Sequence, residues 1–128
     1  MAEETKVLII EDDKFLSELI STKLSKEGYN IVLATDGETG LEKATSEKPD
    51  IILLDIMLPG ISGFEVLEGL KQNADEAVKN IPVLILSNFG QESKVQQGLK
   101  LGAVDYLVKA NFTTGEIVEK IKSTMGGA

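Results

Sequence analysis

Short apolar runs alternate with longer amphipathic stretches along the chain, and the alternation repeats five times without a linker or low-complexity segment. The runs are Lys6 to Ile10, Tyr29 to Ala34, Ile51 to Leu54, Pro82 to Leu86 and Val104 to Val108. All but the second are almost continuously apolar, as parallel strands covered on both faces should be, and the second, with its polar start, suits an edge. Between them, Phe15, Leu16, Leu19, Ile20 and Leu24 fall at helical spacing, with Gly28 as a C-terminal stop. Ser62 and Thr113 open later helices, each followed three residues on by Glu65 or Glu116 in the capping-box arrangement. The last helix packs through Ile117, Val118, Ile121 and Met125. Segment 90–102 reads as a weaker helix, because Gly98 inside it costs up to about 1 kcal/mol relative to alanine.

Five βα units with right-handed crossovers predict an open, doubly wound parallel α/β sheet, since five are too few to close a barrel. The ligand crevice of such a sheet lies outside the C-terminal ends of its strands. Those ends carry Glu11-Asp12-Asp13, Asp55, Ser87 and Lys109. Carboxylates gathered in a cleft with no arginine or histidine to offset them call for a divalent cation, and hard oxygen ligands favour Mg²⁺, with Mn²⁺ as a substitute, over zinc. Asp12-Asp13 reads equally well as a helix cap. Asp55 follows four apolar residues directly, an awkward place for an unused charge. Lys109 and Ser87 each have a bland reading, as a lysine leaving a strand and as a hydroxyl satisfying nearby backbone. Together, a carboxylate, a cation, an ammonium and a hydroxyl supply what phosphoryl transfer to an aspartate needs, with no general base.

Composition narrows the classes. The 128 residues, 42% hydrophobic and 27% charged, fit one domain of roughly 14 Å radius. With Cys 0 and His 0 there is no disulfide framework, thiolate nucleophile, Ser/His/Asp triad or ordinary zinc site. A net charge of −8 disfavours direct binding to nucleic acid or anionic membrane. Met1-Ala2-Glu3-Glu4 lacks a signal-peptide pattern and no apolar run approaches a membrane span, so a cytoplasmic location is expected.

These residues, in this order, strongly resemble the receiver domain of two-component response regulators. The motifs are Val7-Leu8-Ile9-Ile10-Glu11-Asp12-Asp13, Leu53-Leu54-Asp55-Ile56-Met57-Leu58-Pro59-Gly60, Gly63-Phe64-Glu65, Leu86-Ser87 and Gly102-Ala103-Val104-Asp105-Tyr106-Leu107-Val108-Lys109. The resemblance implies a CheY-like, flavodoxin-like three-layer sandwich of strand order 2-1-3-4-5, with residues 1–128 forming one receiver domain and no effector domain. It implies that Asp55 is the phosphoacceptor, that Asp12, Asp13, Asp55 and the Met57 carbonyl hold Mg²⁺, and that Ser87 and Lys109 bind the phosphoryl group. Tyr106 would be the second switch residue, its ring turning inward as the Ser87 hydroxyl moves. A histidine kinase or phosphotransfer protein would supply the phosphoryl group. A protein target would read the face made by the fourth helix, fifth strand and fifth helix, on a monomer or a weak phosphorylation-dependent dimer. Such a chain is a switch that assists its own phosphorylation and dephosphorylation rather than an enzyme.

The chain departs from the family in two places. Ala110 stands where proline, commonly cis, follows the lysine, so either a costly cis bond is kept or the loop takes another course. Asn88, followed by Phe89, stands where the family prefers a small residue after the switch hydroxyl, and Phe89 with Met57 would screen the phosphoryl group from water, which predicts a long-lived phosphoaspartate. Alternatives are a pseudo-receiver that only docks, an aspartyl-phosphate phosphohydrolase, which usually has a second aspartate where Met57 stands, and a flavodoxin, whose phosphate Glu11-Asp12-Asp13 would repel. The ending at Gly126-Gly127-Ala128 fits a natural single-domain protein or an excised piece equally.

Overall fold

The computed structural model describes residues 5–125, so the readings of Met1 to Glu4 and of the ending at Gly126 to Ala128 lie outside the described residues. The elements are β1 (Lys6–Ile10), α1 (Lys14–Lys26), β2 (Asn30–Ala34), α2 (Gly37–Glu47), β3 (Ile51–Leu54), α3 (Gly63–Lys71), α4 (Glu76–Lys79), β4 (Val83–Ser87), α5 (Glu92–Lys100), β5 (Asp105–Val108) and α6 (Thr114–Thr124). The sheet is parallel throughout, as the apolar runs predict, and its order β2-β1-β3-β4-β5 is the one the family resemblance implies.

The apolar strands are continuous because each feeds two cores. Val7, Ile9, Leu53 and Leu84 pack with Ile20 and Leu24 of α1 and with Ile117 and Ile121 of α6. Leu8, Ile10, Leu54 and Ile85 point the other way, against Ala44 of α2 and Phe64, Val66 and Leu67 of α3. Each of these Val, Leu and Ile side chains fully removed from water contributes about 1.5–3 kcal/mol. At the sheet edge, β2 leaves Leu33 37% exposed, in keeping with its mixed sequence.

Both expected capping boxes form, at Ser62 with Glu65 and at Thr113 with Glu116. Strand boundaries move by a residue for local reasons. β2 begins at Asn30, because the Tyr29 N–H donates to the Leu24 carbonyl at the end of α1. β4 runs Val83–Ser87, because Pro82 has no N–H and joins the sheet only as an acceptor for Ile52. The one-turn helix α4, capped by Asp75, is too short to leave a periodic signal. The fourth and fifth helices of the sequence pattern are therefore α5 and α6. No helix among the described residues is long and apolar enough to cross a membrane.

Candidate functional site

β1 and β3 are paired with Ile10 opposite Leu54, so the residues that follow them leave the sheet side by side. Both are still held by the ladder: the Glu11 N–H donates to the Ala34 carbonyl at 2.9 Å and the Asp55 N–H to the Ile10 carbonyl at 3.0 Å. Their side chains are consequently buried, Glu11 at 3% and Asp55 at 4% exposure. Asp12 is exposed, and one carboxylate oxygen from each of Glu11, Asp12 and Asp55 falls within 4.8 Å of the others.

Asp13 does not join them. Its carboxylate accepts the Leu16 N–H at 3.2 Å and caps α1, while its own N–H donates to Glu11 Oε2 at 3.0 Å. Of the expected Asp12-Asp13 pair, Asp12 stands beside Glu11 and Asp55, while Asp13 is turned to the helix cap. The first acidic residue continues the strand into the crevice, and the third must satisfy a helix terminus.

Lys109, at the far end of β5, closes the cluster with its Nζ 2.9 Å from Glu11 Oε1 and 3.2 Å from Asp55 Oδ2. It does so without proline behind it. The described residues contain no cis peptide bond, and Lys109–Asn111 form a single 3₁₀ turn. Burial raises the Glu11 carboxyl to about 7, against the Lys109 hydrogen bond that lowers it, and the nearby Asp55 charge pushes it further up. Burial alone would lower the Lys109 ammonium, but Glu11 and Asp55 outweigh it and hold its pKa above the ordinary value.

The chain after Asp55 folds back over it. The Met57 N–H lies 3.3 Å from Asp55 Oδ1, with the Met57 side chain 59% exposed above the crevice. Gly63 lets α3 start against this turn: its N–H donates to the Ile56 carbonyl at 2.8 Å, and a Cβ there would run into the Asp55 carbonyl oxygen.

Ser87 ends β4 fully buried, its Oγ accepting the Phe89 N–H at 3.0 Å. Tyr106, 8% exposed on β5, donates its hydroxyl to the Phe89 carbonyl at 2.7 Å. The two expected switch residues therefore meet on the backbone of Phe89, a residue the sequence offers only as a bulky neighbour. Asn88 between them is exposed.

The sequence model of the response regulator receiver domain matches residues 7–122. The chain belongs to that family. This receiver domain is 37% identical over 120 residues, 94% of its length, to the alkaline phosphatase synthesis transcriptional regulatory protein PhoP of Bacillus subtilis. It is 39% identical over 120 residues to the DNA-binding dual master transcriptional regulator RpaA of a Synechocystis species. The chain spans about half the length, 48%, of each of these relatives. Among solved structures, the chemotaxis response regulator CheY4 of Vibrio cholerae superposes with a TM-score of 0.85 at 28% identity, covering 94% of this chain and 98% of that one. The CheY of a CheX–CheY–BeF3–Mg²⁺ complex from Borrelia burgdorferi gives 0.82 at 29% identity, covering 94% and 88%. The receiver domain is a signalling switch of two-component systems, and its acidic cluster is one that could hold a metal ion.

Proposed function

We propose that this receiver domain takes a phosphoryl group on Asp55 from a histidine kinase or phosphotransfer protein and thereby changes its affinity for a protein partner. The observation that carries the reading is the convergence of Lys109 on Asp55 and Glu11, three side chains from three strand ends meeting within hydrogen-bond reach. A buried carboxylate with a fixed ammonium beside it is a ready nucleophile toward phosphorus. An Asp55 oxygen forms the new O–P bond as the P–N bond of a phosphohistidine, or the P–O bond to the acyl group of acetyl phosphate, breaks; the electron pair leaves with the donor, and no base is needed. Lys109 offsets charge on the phosphoryl oxygens. The Ser87 hydroxyl would turn from the Phe89 N–H to the same oxygens.

Glu11, Asp12 and Asp55 fit a small hard cation, since all three offer oxygen and lie close enough for one ion, and the Met57 carbonyl completes the proposed set. Bound Mg²⁺, or Mn²⁺ in its place, would offset negative charge between nucleophile and phosphoryl group. The Borrelia neighbour, whose complex is named for BeF3 and Mg²⁺, supports this assignment. Asp13 is left with the cap. Phe89 and Met57 would screen the phosphoryl group from water and favour its slow loss.

Partner recognition falls to the face of α5, β5 and α6, next to Tyr106, on a cytoplasmic monomer or weak dimer in which residues 1–128 act as one receiver domain without direct contact to nucleic acid. The test is intact mass after incubation with acetyl phosphate and Mg²⁺. A gain of one phosphoryl group, lost in Asp55→Asn and in chelator, is expected. No gain on a folded chain would overturn the reading in favour of a docking-only module.

A further inference from the structure

Ile85 and Tyr106 are partners across the β4–β5 ladder, so their side chains stand together on one face of the sheet, under α5. The residue of α5 lying over them is Gly98, buried in the middle of the helix. A Cβ on Gly98 would lie 2.7 Å from Ile85 Cδ1 and 3.1 Å from Tyr106 Cδ2, the second closer than ordinary side-chain packing and the first closer than any. Glycine there opposes helix formation, and α5 has no side-chain N-cap bond to offset it. The helix thus carries its weakest residue where the Tyr106 ring needs room.

We propose that Gly98 is the positioning residue of Tyr106: by withholding a Cβ it leaves the slot in which the ring lies with its hydroxyl on the Phe89 carbonyl. That bond, 2.7 Å long, ties β5 to the loop whose Phe89 N–H is held by Ser87 Oγ. Residue 98 therefore sets how firmly the ring is kept inward. A methyl group pressed into the slot shifts the ring outward, because a close-packed interior has no free volume to take it up. The consequence for signalling rests on the reading of Ser87 and Tyr106 as the switch pair; the slot itself does not.

The chain has only two tyrosines and no tryptophan, so fluorotyrosine labelling gives one ¹⁹F signal for Tyr106 and one, from Tyr29, as an internal reference. Tyr106→Phe assigns them. In Gly98→Ala the Tyr106 signal is expected to move toward its solvent-exposed position, with the inward-to-outward ratio lowered about tenfold, while Tyr29 stays in place. The double variant Gly98→Ala with Ile85→Val removes the Cδ1 atom of the tighter collision and keeps the ring collision. It should show the same shift, and it carries the test if the single variant does not fold. An unmoved Tyr106 signal, a shift lost in the double variant, or an equal movement of Tyr29 would each overturn the proposal. Phosphoryl uptake measured on the same samples reports separately on Asp55: its failure beside a shifted Tyr106 signal would remove the signalling role and leave the positioning role standing.

Discussion

On the β1–β3 side of the crevice two buried carboxylates share one ammonium beside the exposed Asp12, whereas on the β4–β5 side two hydroxyls gather on the backbone N–H and carbonyl of one residue, Phe89. The first arrangement is a matter of charge in a poorly solvated place. Glu11 and Asp55 are buried on either side of the Lys109 ammonium, and loss of any one of these three leaves an unbalanced charge. The second consists of neutral hydrogen bonds, each worth roughly 0.5–1.5 kcal/mol net, with a slot that fits one ring position. Charge makes the acidic side sensitive to protons and cations. Packing makes the other side sensitive to shape, and a shape that turns on one missing methyl group is easily shifted.

The difference between the two sides is largest at Lys109. Lys109→Met leaves Glu11 and Asp55 facing each other without a counter-charge, and about 3 kcal/mol of stability should be lost at pH 8 by urea unfolding, with less lost near pH 5, where Glu11 takes up a proton. Glu11 itself gives the pH test. Its carboxyl is raised from 4.5 to about 7 by folding, so the folded state favours the neutral form. That contribution is whole below about pH 4.5 and is lost as pH rises through about 7. In chelator, Glu11→Gln should flatten this part of the stability curve. Titration calorimetry of the wild type should show Mg²⁺ binding weakening as pH falls below about 7, because the ion competes with that proton. Glu11→Gln should lose about tenfold or more in Mg²⁺ affinity at pH 8.

On the hydroxyl side, Tyr106→Phe strands the Phe89 carbonyl at a cost of about 1 kcal/mol, independent of pH between 5 and 8. The smallest effect sharpens the boundary of the acidic cluster. Asp13→Asn keeps a good cap, so stability should change by less than about 0.5 kcal/mol and Mg²⁺ affinity should stay within about twofold.

Most of the fold was legible because its parallel strands are buried on both faces and read as unbroken apolar runs, and because two helix starts carry a capping box. Asp55 stood out as a charge following four apolar residues, and Lys109 reaches its place despite Ala110, since a 3₁₀ turn after the lysine replaces the family's proline. The three acidic residues after β1 were harder to sort. They are alike in charge, and what separates them is whether the backbone is still in the ladder, as at Glu11, or already turning into α1, as at Asp13. The signal that could have found this is that Asp13 immediately precedes the helical spacing of α1, the position that an N-cap takes. The role of Phe89 lay beyond the sequence altogether, since it is played by the backbone N–H and carbonyl and not by the ring.

The claim on which the rest depends is that Asp55, and no other carboxylate, receives the phosphoryl group. After reaction with acetyl phosphate and Mg²⁺, borohydride reduces an aspartyl phosphate to homoserine, which peptide mass mapping then locates. Homoserine is expected at position 55 and nowhere else. Homoserine at Asp12 or Asp13, or none in a chain that has gained phosphoryl mass, would contradict it.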